Sequence, residues 1–148
     1  MNIHGVERLT GDIDLILETS RSNLERFWDL LAGVGFQCRI PIAREQFADS
    51  KAWRDWTRSK GAKVITFFDP KDPLRQVDVM IATSVSYDVA KPRGTVIPLG
   101  GEPVPVVGVE DLIRMKRKAG RPKDALDVAA LERLVSKPTG VRKRKGRK

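Results

Sequence analysis

Two aspartates one residue apart, Asp12 and Asp14, lie in the stretch RLTGDIDLIL, which otherwise has the alternating apolar pattern of a buried β-strand. Residues i and i+2 of a strand share one face, with Cα atoms about 6.7 Å apart. Two carboxylates placed in this way can lean toward one hard cation, and Mg²⁺ suits them because it takes one or two carboxylates and completes its shell with water and phosphate oxygens. The simpler interpretation is a solvated turn, since TGD has turn chemistry.

A third carboxylate, Asp78, lies between Val77 and Val79 in the stretch QVDVMIA, which contains no other charge. Three acids on the same side of adjacent strands would repel one another strongly unless a metal ion or protons intervened. Two strands that carry three such acids are typical of a two-metal site for phosphoryl transfer.

Helices are predicted before and after these strands. Residues 20–36 form an amphipathic pattern, with Ser22 and Glu25 as a capping box and a stop at Gly33 or Gly35. The segments VEDLIRMKRKAG and PKDALDVAALERLV follow one another as two helices near the C-terminus.

Further strands are predicted at KVITFF and QVDVMIA, joined by the turn DPKDPLR, and at TVIPL and PVPVV, which suggest an edge hairpin because proline tolerates only edge positions. Between the first helix and these strands, polar sequence with Trp53 and Trp56 predicts short helical pieces. The tryptophans are expected to pack against the sheet, and base stacking is the alternative. The mixture predicts an α/β or α+β fold.

Length and composition favour an ordinary globular chain. Its 148 residues suit one domain, taken as residues 1–136, followed by a disordered basic tail over 137–148. No apolar run reaches the roughly 20 residues that cross a bilayer, and no signal peptide is recognised. With Cys38 as the single cysteine, a reduced core residue, we expect a cytoplasmic protein with no membrane partner.

The positive charge is concentrated in the last quarter of the chain. Residues 114–148 carry a net charge of +11, whereas the first 113 residues carry −2. Such asymmetry suggests a polyanionic partner, most naturally a nucleic acid.

Three segments together, HGVERLTGDIDLIL, VDVMIA and VEDLIRMKRKAGRPKDALDVAALE, resemble the nucleotidyltransferase superfamily. The nearest group is the abortive-infection (AbiEii-like) transferases, which act as toxins of bacterial toxin–antitoxin pairs. The resemblance runs from His4 to about Leu134. It implies a mixed sheet flanked by helices, and transfer of a nucleoside monophosphate from an NTP to an acceptor hydroxyl.

The resemblance also implies roles for individual residues. Asp12, Asp14 and Asp78 would be catalytic and would bind Mg²⁺ or Mn²⁺, and Asp78 would help to take the proton of the acceptor hydroxyl. The nucleotide-binding residues would be Arg8, Thr10, Lys116, Arg121 and Asp124, with Asp127 also framing the pocket. For Lys116 and Asp124, the alternative is simple stabilisation of their own helices at the charged ends.

The start of the sequence departs from the pattern of the superfamily, whose members carry a Gly-Gly or Gly-Ser turn before the aspartates. Only Gly5 and Gly11 precede Asp12 in this sequence. Either the chain begins too late, at an internal methionine, or it lacks that element. Two hypotheses follow: an enzyme that uses RNA, such as tRNA, as acceptor, with an antitoxin protein as partner, or a non-catalytic relative that binds nucleotide or RNA.

Overall fold

The computed structural model describes residues 12–136, which form six helices and six strands. Two residues predicted to bind the nucleotide, Arg8 and Thr10, lie outside the described residues, as does the predicted basic tail. The strands are β1 (Asp12–Leu15), β2 (Gln37–Cys38), β3 (Val64–Asp69), β4 (Asp72–Met80), β5 (Thr95–Leu99) and β6 (Glu102–Val106). The helices are α1 (Arg21–Gly33), α2 (Arg44–Phe47), α3 (Ser50–Lys60), α4 (Tyr87–Arg93), α5 (Val109–Ala119) and α6 (Pro122–Ser136).

The main sheet has the strand order β1-β4-β3-β2. Strand β1 is parallel to β4, whereas β3 is antiparallel to both of its neighbours. The predicted mixed sheet flanked by helices is therefore confirmed. The predicted hairpin is also present, but β5 and β6 form a separate two-stranded sheet and not an edge of the main one.

One face of the main sheet is apolar and is covered by α1, α2 and α3. Alternate residues of β3 and β4 point into this layer, because successive side chains of a strand alternate between its two faces. The aromatic rings of Phe27, Trp28 and Phe47 lie with their centroids 5.4–5.7 Å from that of Phe67. The buried members of this core are Leu24, Leu31, Phe47, Ala48, Trp53, Ile65, Phe67, Val77 and Val79.

The tryptophans confirm the packing interpretation. Trp53 is buried and donates its indole N–H to the Phe47 carbonyl oxygen at 2.8 Å, and Trp56 packs against the same core. Both side chains therefore pack on the apolar face of the sheet. Cys38 is half-buried and also packs against this core, as expected of a small core residue.

Two local predictions are wrong. The capping box at Ser22 and Glu25 does not form, because the N-cap of α1 is Ser20, two residues earlier. The Ser20 hydroxyl donates to the Glu18 carboxylate. The expectation of a buried first strand also fails for Ile13, which is 59% exposed; among the strands of residues 12–136, β1 is at the edge of the sheet.

The last two helices confirm their predicted positions. Helix α5 ends at Gly120, whose φ of +64° is the left-handed conformation that glycine adopts at low cost. Helix α6 begins at Pro122, packs against α5, and buries Leu131. No helix of residues 12–136 combines the length and the apolar character that crossing a membrane requires.

Candidate active site

The parallel pairing of β1 with β4 brings two of the predicted acids side by side. Asp14 lies opposite Asp78 in the register, and Asp12 lies opposite Gln76. These side chains share the face of the sheet that α1–α3 do not cover, since the apolar Val77 and Val79 point the other way into the core. We call this second side the polar face of the sheet.

The Asp14 carboxyl group lies in an unfavourable electrostatic environment. Although the residue as a whole is exposed, burial of its carboxyl group raises the pKa of Asp14 above its ordinary value of 3.8. The negative charges of Asp78 and Asp12 raise this pKa further, and the positive charge of Lys116 lowers it. The fold thus holds like charges together at a place where added positive charge would be stabilising.

A threonine that the sequence did not single out completes this row of side chains. Thr66 lies opposite Asp78 on β3, and its hydroxyl donates to Asp78 Oδ1 at 2.6 Å. The hydrogen bond restrains the orientation of the Asp78 carboxyl group. Strand alternation alone assigns Thr66 to one of two faces, so its role could not be predicted before the register of β3 against β4 was known.

Lys116 is held in position by two acids of the next helix. Its side chain is 14% exposed, and its Nζ lies 2.9 Å from Asp127 Oδ2 and 3.5 Å from Asp124 Oδ1. The Lys116 charge also acts on Asp14, which links the helix pair α5–α6 to the carboxylates of the sheet. The predicted Lys116, Asp124 and Asp127 are therefore brought together, with Asp127 as the closest partner.

Asp124 is almost completely buried and has a second partner. Arg121 Nε donates to Asp124 Oδ2 at 2.9 Å. Burial alone would raise the pKa of Asp124, but the hydrogen bond from Arg121 and the charges of Arg121 and Lys116 together lower it below its ordinary value. Asp124 therefore remains a carboxylate and anchors Lys116, in addition to its place in the first turn of α6.

The acids of the sheet consist of one close pair and one nearby residue, and they do not surround a common point. Within residues 12–136, no group of three or more His, Cys, Asp and Glu side chains is arranged to hold a metal ion. Asp14 and Asp78 are the close pair, and Asp12 lies two residues before Asp14 on the same face of β1.

Comparisons of this chain with protein-family models, with curated proteins and with solved structures gave no match in any of the three cases.

Proposed function

We propose that this chain is a metal-dependent nucleotidyltransferase that moves a nucleoside monophosphate from an NTP to an acceptor hydroxyl. The observation that supports the proposal is the register pairing of Asp14 with Asp78 on the polar face, with the Lys116 charge acting on Asp14. Unshielded like charges cost stability, so their presence on adjacent strands favours a functional role over a structural one.

The carboxylate oxygens of Asp12, Asp14 and Asp78 suit Mg²⁺ or Mn²⁺. Carboxylate oxygens are the ligands that hard cations prefer, and Mg²⁺ needs only one or two of them beside substrate phosphates. Asp14 and Asp78 would hold the metal, with Asp12 two residues before Asp14 on the same face, and a cation there would offset the negative charges of Asp78 and Asp12 that, after burial, raise the pKa of Asp14. When bound there, the metal would supply positive charge to the phosphates and orient them.

Side chains of the protein would bind the triphosphate and accept the proton. The Lys116 ammonium group, fixed by Asp124 and Asp127, would bind the triphosphate without losing much conformational freedom, because its partners already restrict it. The Asp78 carboxylate, restrained by Thr66, would accept the proton of the attacking hydroxyl.

The charge distribution favours RNA, tRNA included, as the acceptor. A net charge of +11 over residues 114–148 would attract a phosphate backbone, whereas a cationic acceptor would be repelled. An enzyme that modifies RNA in this way would suit the toxin of a toxin–antitoxin pair, with an antitoxin protein as its partner.

The positive charge favours a second hypothesis, a non-catalytic relative that binds nucleotide or RNA. The net charge of +11 over residues 114–148 would attract phosphate groups without a metal ion. Such a protein would bind NTP or RNA through Lys116 and the basic residues, independently of Mg²⁺.

Calorimetric titration of each NTP into the full chain, with and without Mg²⁺, separates the two functions. The transferase predicts Mg²⁺-dependent binding that Asp14→Asn abolishes. Asp55→Asn is the matched control, because Asp55 is an exposed acid of α3 paired only on the surface with Arg58. NTP binding that ignores both Mg²⁺ and the Asp14 substitution would refute the transferase and support the binding protein.

A further inference from the structure

The polar face of the main sheet carries two parallel rows of side chains that cross all four strands. Register partners share a face, and the Arg39 N–H donates to the Thr66 carbonyl oxygen at 2.9 Å, which continues the pairing of β2 with β3. The first row is Arg39, Thr66, Asp78 and Asp14. The second row is Gln37, Phe68, Gln76 and Asp12.

Phe68 is the aromatic member of these two rows. Its ring is half-buried, and the guanidinium carbon of Arg39 lies 5.3 Å from the ring centroid. An aromatic ring combined with an arginine, beside polar side chains, is a surface on which unpaired nucleic-acid bases stack. The flanking amides of Gln37 and Gln76 are groups that donate to and accept from base edges.

The position of Phe68 relative to the acids indicates which nucleotide it would contact. Phe68 is the diagonal neighbour of Asp78, a separation of about 7–8 Å that the sugar and phosphate of one nucleotide can bridge. Strand β4, which carries Asp78, lies between β1 and β3, so Phe68 and Thr66 are on the side of Asp78 away from β1. An acceptor base on Phe68 would therefore approach Asp78 from the β3 side and leave the β1 side for the triphosphate.

We propose that Phe68, with Arg39 beside its ring, stacks the terminal base of the acceptor RNA strand and so positions the acceptor hydroxyl near Asp78. This inference rests on the proposed nucleotidyltransferase function, whose acceptor it locates. The stacking role that the sequence offered as an alternative for Trp53 and Trp56 then belongs to Phe68, because both tryptophans pack into the core beneath the opposite face.

A second arginine–phenylalanine pair supplies a control for the change in charge, although its arginine, Arg75, also forms an ion pair with the buried Asp69 at 2.9 Å. The guanidinium carbon of Arg75 lies 5.6 Å from the centroid of Phe36. Arg75 is two residues before the core residue Val77 on β4, so both side chains point to the same face. The Arg75–Phe36 pair therefore lies on the side of the sheet away from Asp78. Removing the Arg75 charge alters the net charge of the protein by the same amount as removing that of Arg39.

The test is fluorescence anisotropy of the full chain with a short single-stranded oligoadenylate, labelled at its 5′ end, in two forms: intact, or without its 3′-terminal base. Phe68→Leu, Phe68→Trp, Arg39→Gln and the control Arg75→Gln are compared, with circular dichroism as the check on folding. Mg²⁺-dependent NTP binding is measured on the same variants and on Asp14→Asn.

We expect Phe68→Leu to weaken binding of the intact oligonucleotide by about 5- to 100-fold, the usual effect of losing one stacked base. The loss should disappear for the oligonucleotide that lacks the terminal base. Phe68→Trp should retain affinity, Arg39→Gln should lower it more than Arg75→Gln does, and NTP binding should not change.

Three results would overturn the inference: intact-RNA affinity unaltered in both Phe68→Leu and Arg39→Gln, a loss that persists without the terminal base, or a loss of NTP binding in place of RNA binding. The last result would place the NTP base on Phe68. If Asp14→Asn leaves NTP binding unaltered while the base-dependent loss at Phe68 remains, the transferase function fails and the stacking surface stands.

Discussion

Replacing Asp14 by asparagine should stabilise the protein in the absence of metal. Asparagine keeps the shape of the side chain but removes one of two like charges that face each other across β1 and β4. It also removes the cost of burying a carboxylate, which is the largest cause that raises the pKa of Asp14. The lost attraction to Lys116 offsets only part of this gain, since the net shift of the pKa is upward.

The magnitude follows from the spacing of the strands. Side chains directly opposite each other are about 5 Å apart. At this distance, two unit charges repel by about 0.8 kcal/mol in bulk water and by about 3 kcal/mol at an effective dielectric constant of 20. Because Asp14 as a residue is exposed and solvent screens it, the lower value is the better guide. We expect a gain of about 1 kcal/mol in the free energy of unfolding at pH 7.

The pH dependence of this gain has a definite sign. A carboxyl group whose pKa is raised in the folded state binds its proton more tightly there than in the unfolded chain. Its ionisation therefore lowers stability as pH rises through the folded pKa, and its effect vanishes below the ordinary value of 3.8. Asp14→Asn should accordingly exceed the wild type in stability at pH 7 and lose this advantage near pH 3.

Urea unfolding of the wild type, Asp14→Asn and the surface control Asp55→Asn measures these differences. Mg²⁺ with NTP at ten times its Kd should add about 1.4 kcal/mol to the wild type and nothing to Asp14→Asn. The reasoning is refuted if Asp14→Asn destabilises the metal-free protein at pH 7, or if Mg²⁺ with NTP stabilises both proteins equally.

Other substitutions test the anchoring of Lys116 and the packing around it. Lys116→Met and Asp127→Asn should show a coupling of about 1–3 kcal/mol in a double-mutant cycle of urea unfolding, because the pair is largely buried; a coupling near zero would contradict the anchoring. Its partners lower the pKa of Asp124 in the folded protein below the ordinary value of 3.8. The Asp124 carboxylate therefore stabilises the fold above pH 3.8, and this stabilisation is lost as pH falls through the lowered pKa. The stability difference between the wild type and Asp124→Asn should therefore shrink below about pH 4, and a difference that stays constant down to pH 3 would be inconsistent with the lowered pKa. Gly108→Ala should lower the free energy of unfolding by about 1–3 kcal/mol, because a Cβ at this position would lie 2.5 Å from the carbonyl oxygen of Arg93, the last residue of α4. An unaltered free energy of unfolding would show that the backbone can shift to make room for the methyl group. Deleting residues 139–148 should weaken RNA binding and flatten its dependence on salt, and an unaltered slope would exclude this segment from RNA binding.

Local chemistry was sufficient to predict the C-terminal helices and most strands. Helix α5 has acids in its first turn, cations in its last turn and a terminal glycine, and all of these signals act within a few residues. Helix α4 was not predicted, because its short sequence carries Pro92 inside the helix and has little apolar periodicity. The predicted capping box failed because α1 begins at Arg21, which places Ser22 inside the helix and not at its N-cap.

The sequence by itself determined which residues are available for chemistry: the closely spaced Asp12 and Asp14, the lone acid Asp78 in an apolar strand, and the excess of cations after residue 113. Tertiary structure alone decided that Asp14 faces Asp78, that Thr66 binds Asp78, and that Phe68 shares their face. Strand register depends on pairing between segments about sixty residues apart in the chain, and a shift of one residue would move every side chain to the other face. No local pattern encodes that choice, because it is made by the burial of the apolar face of the whole sheet against α1–α3.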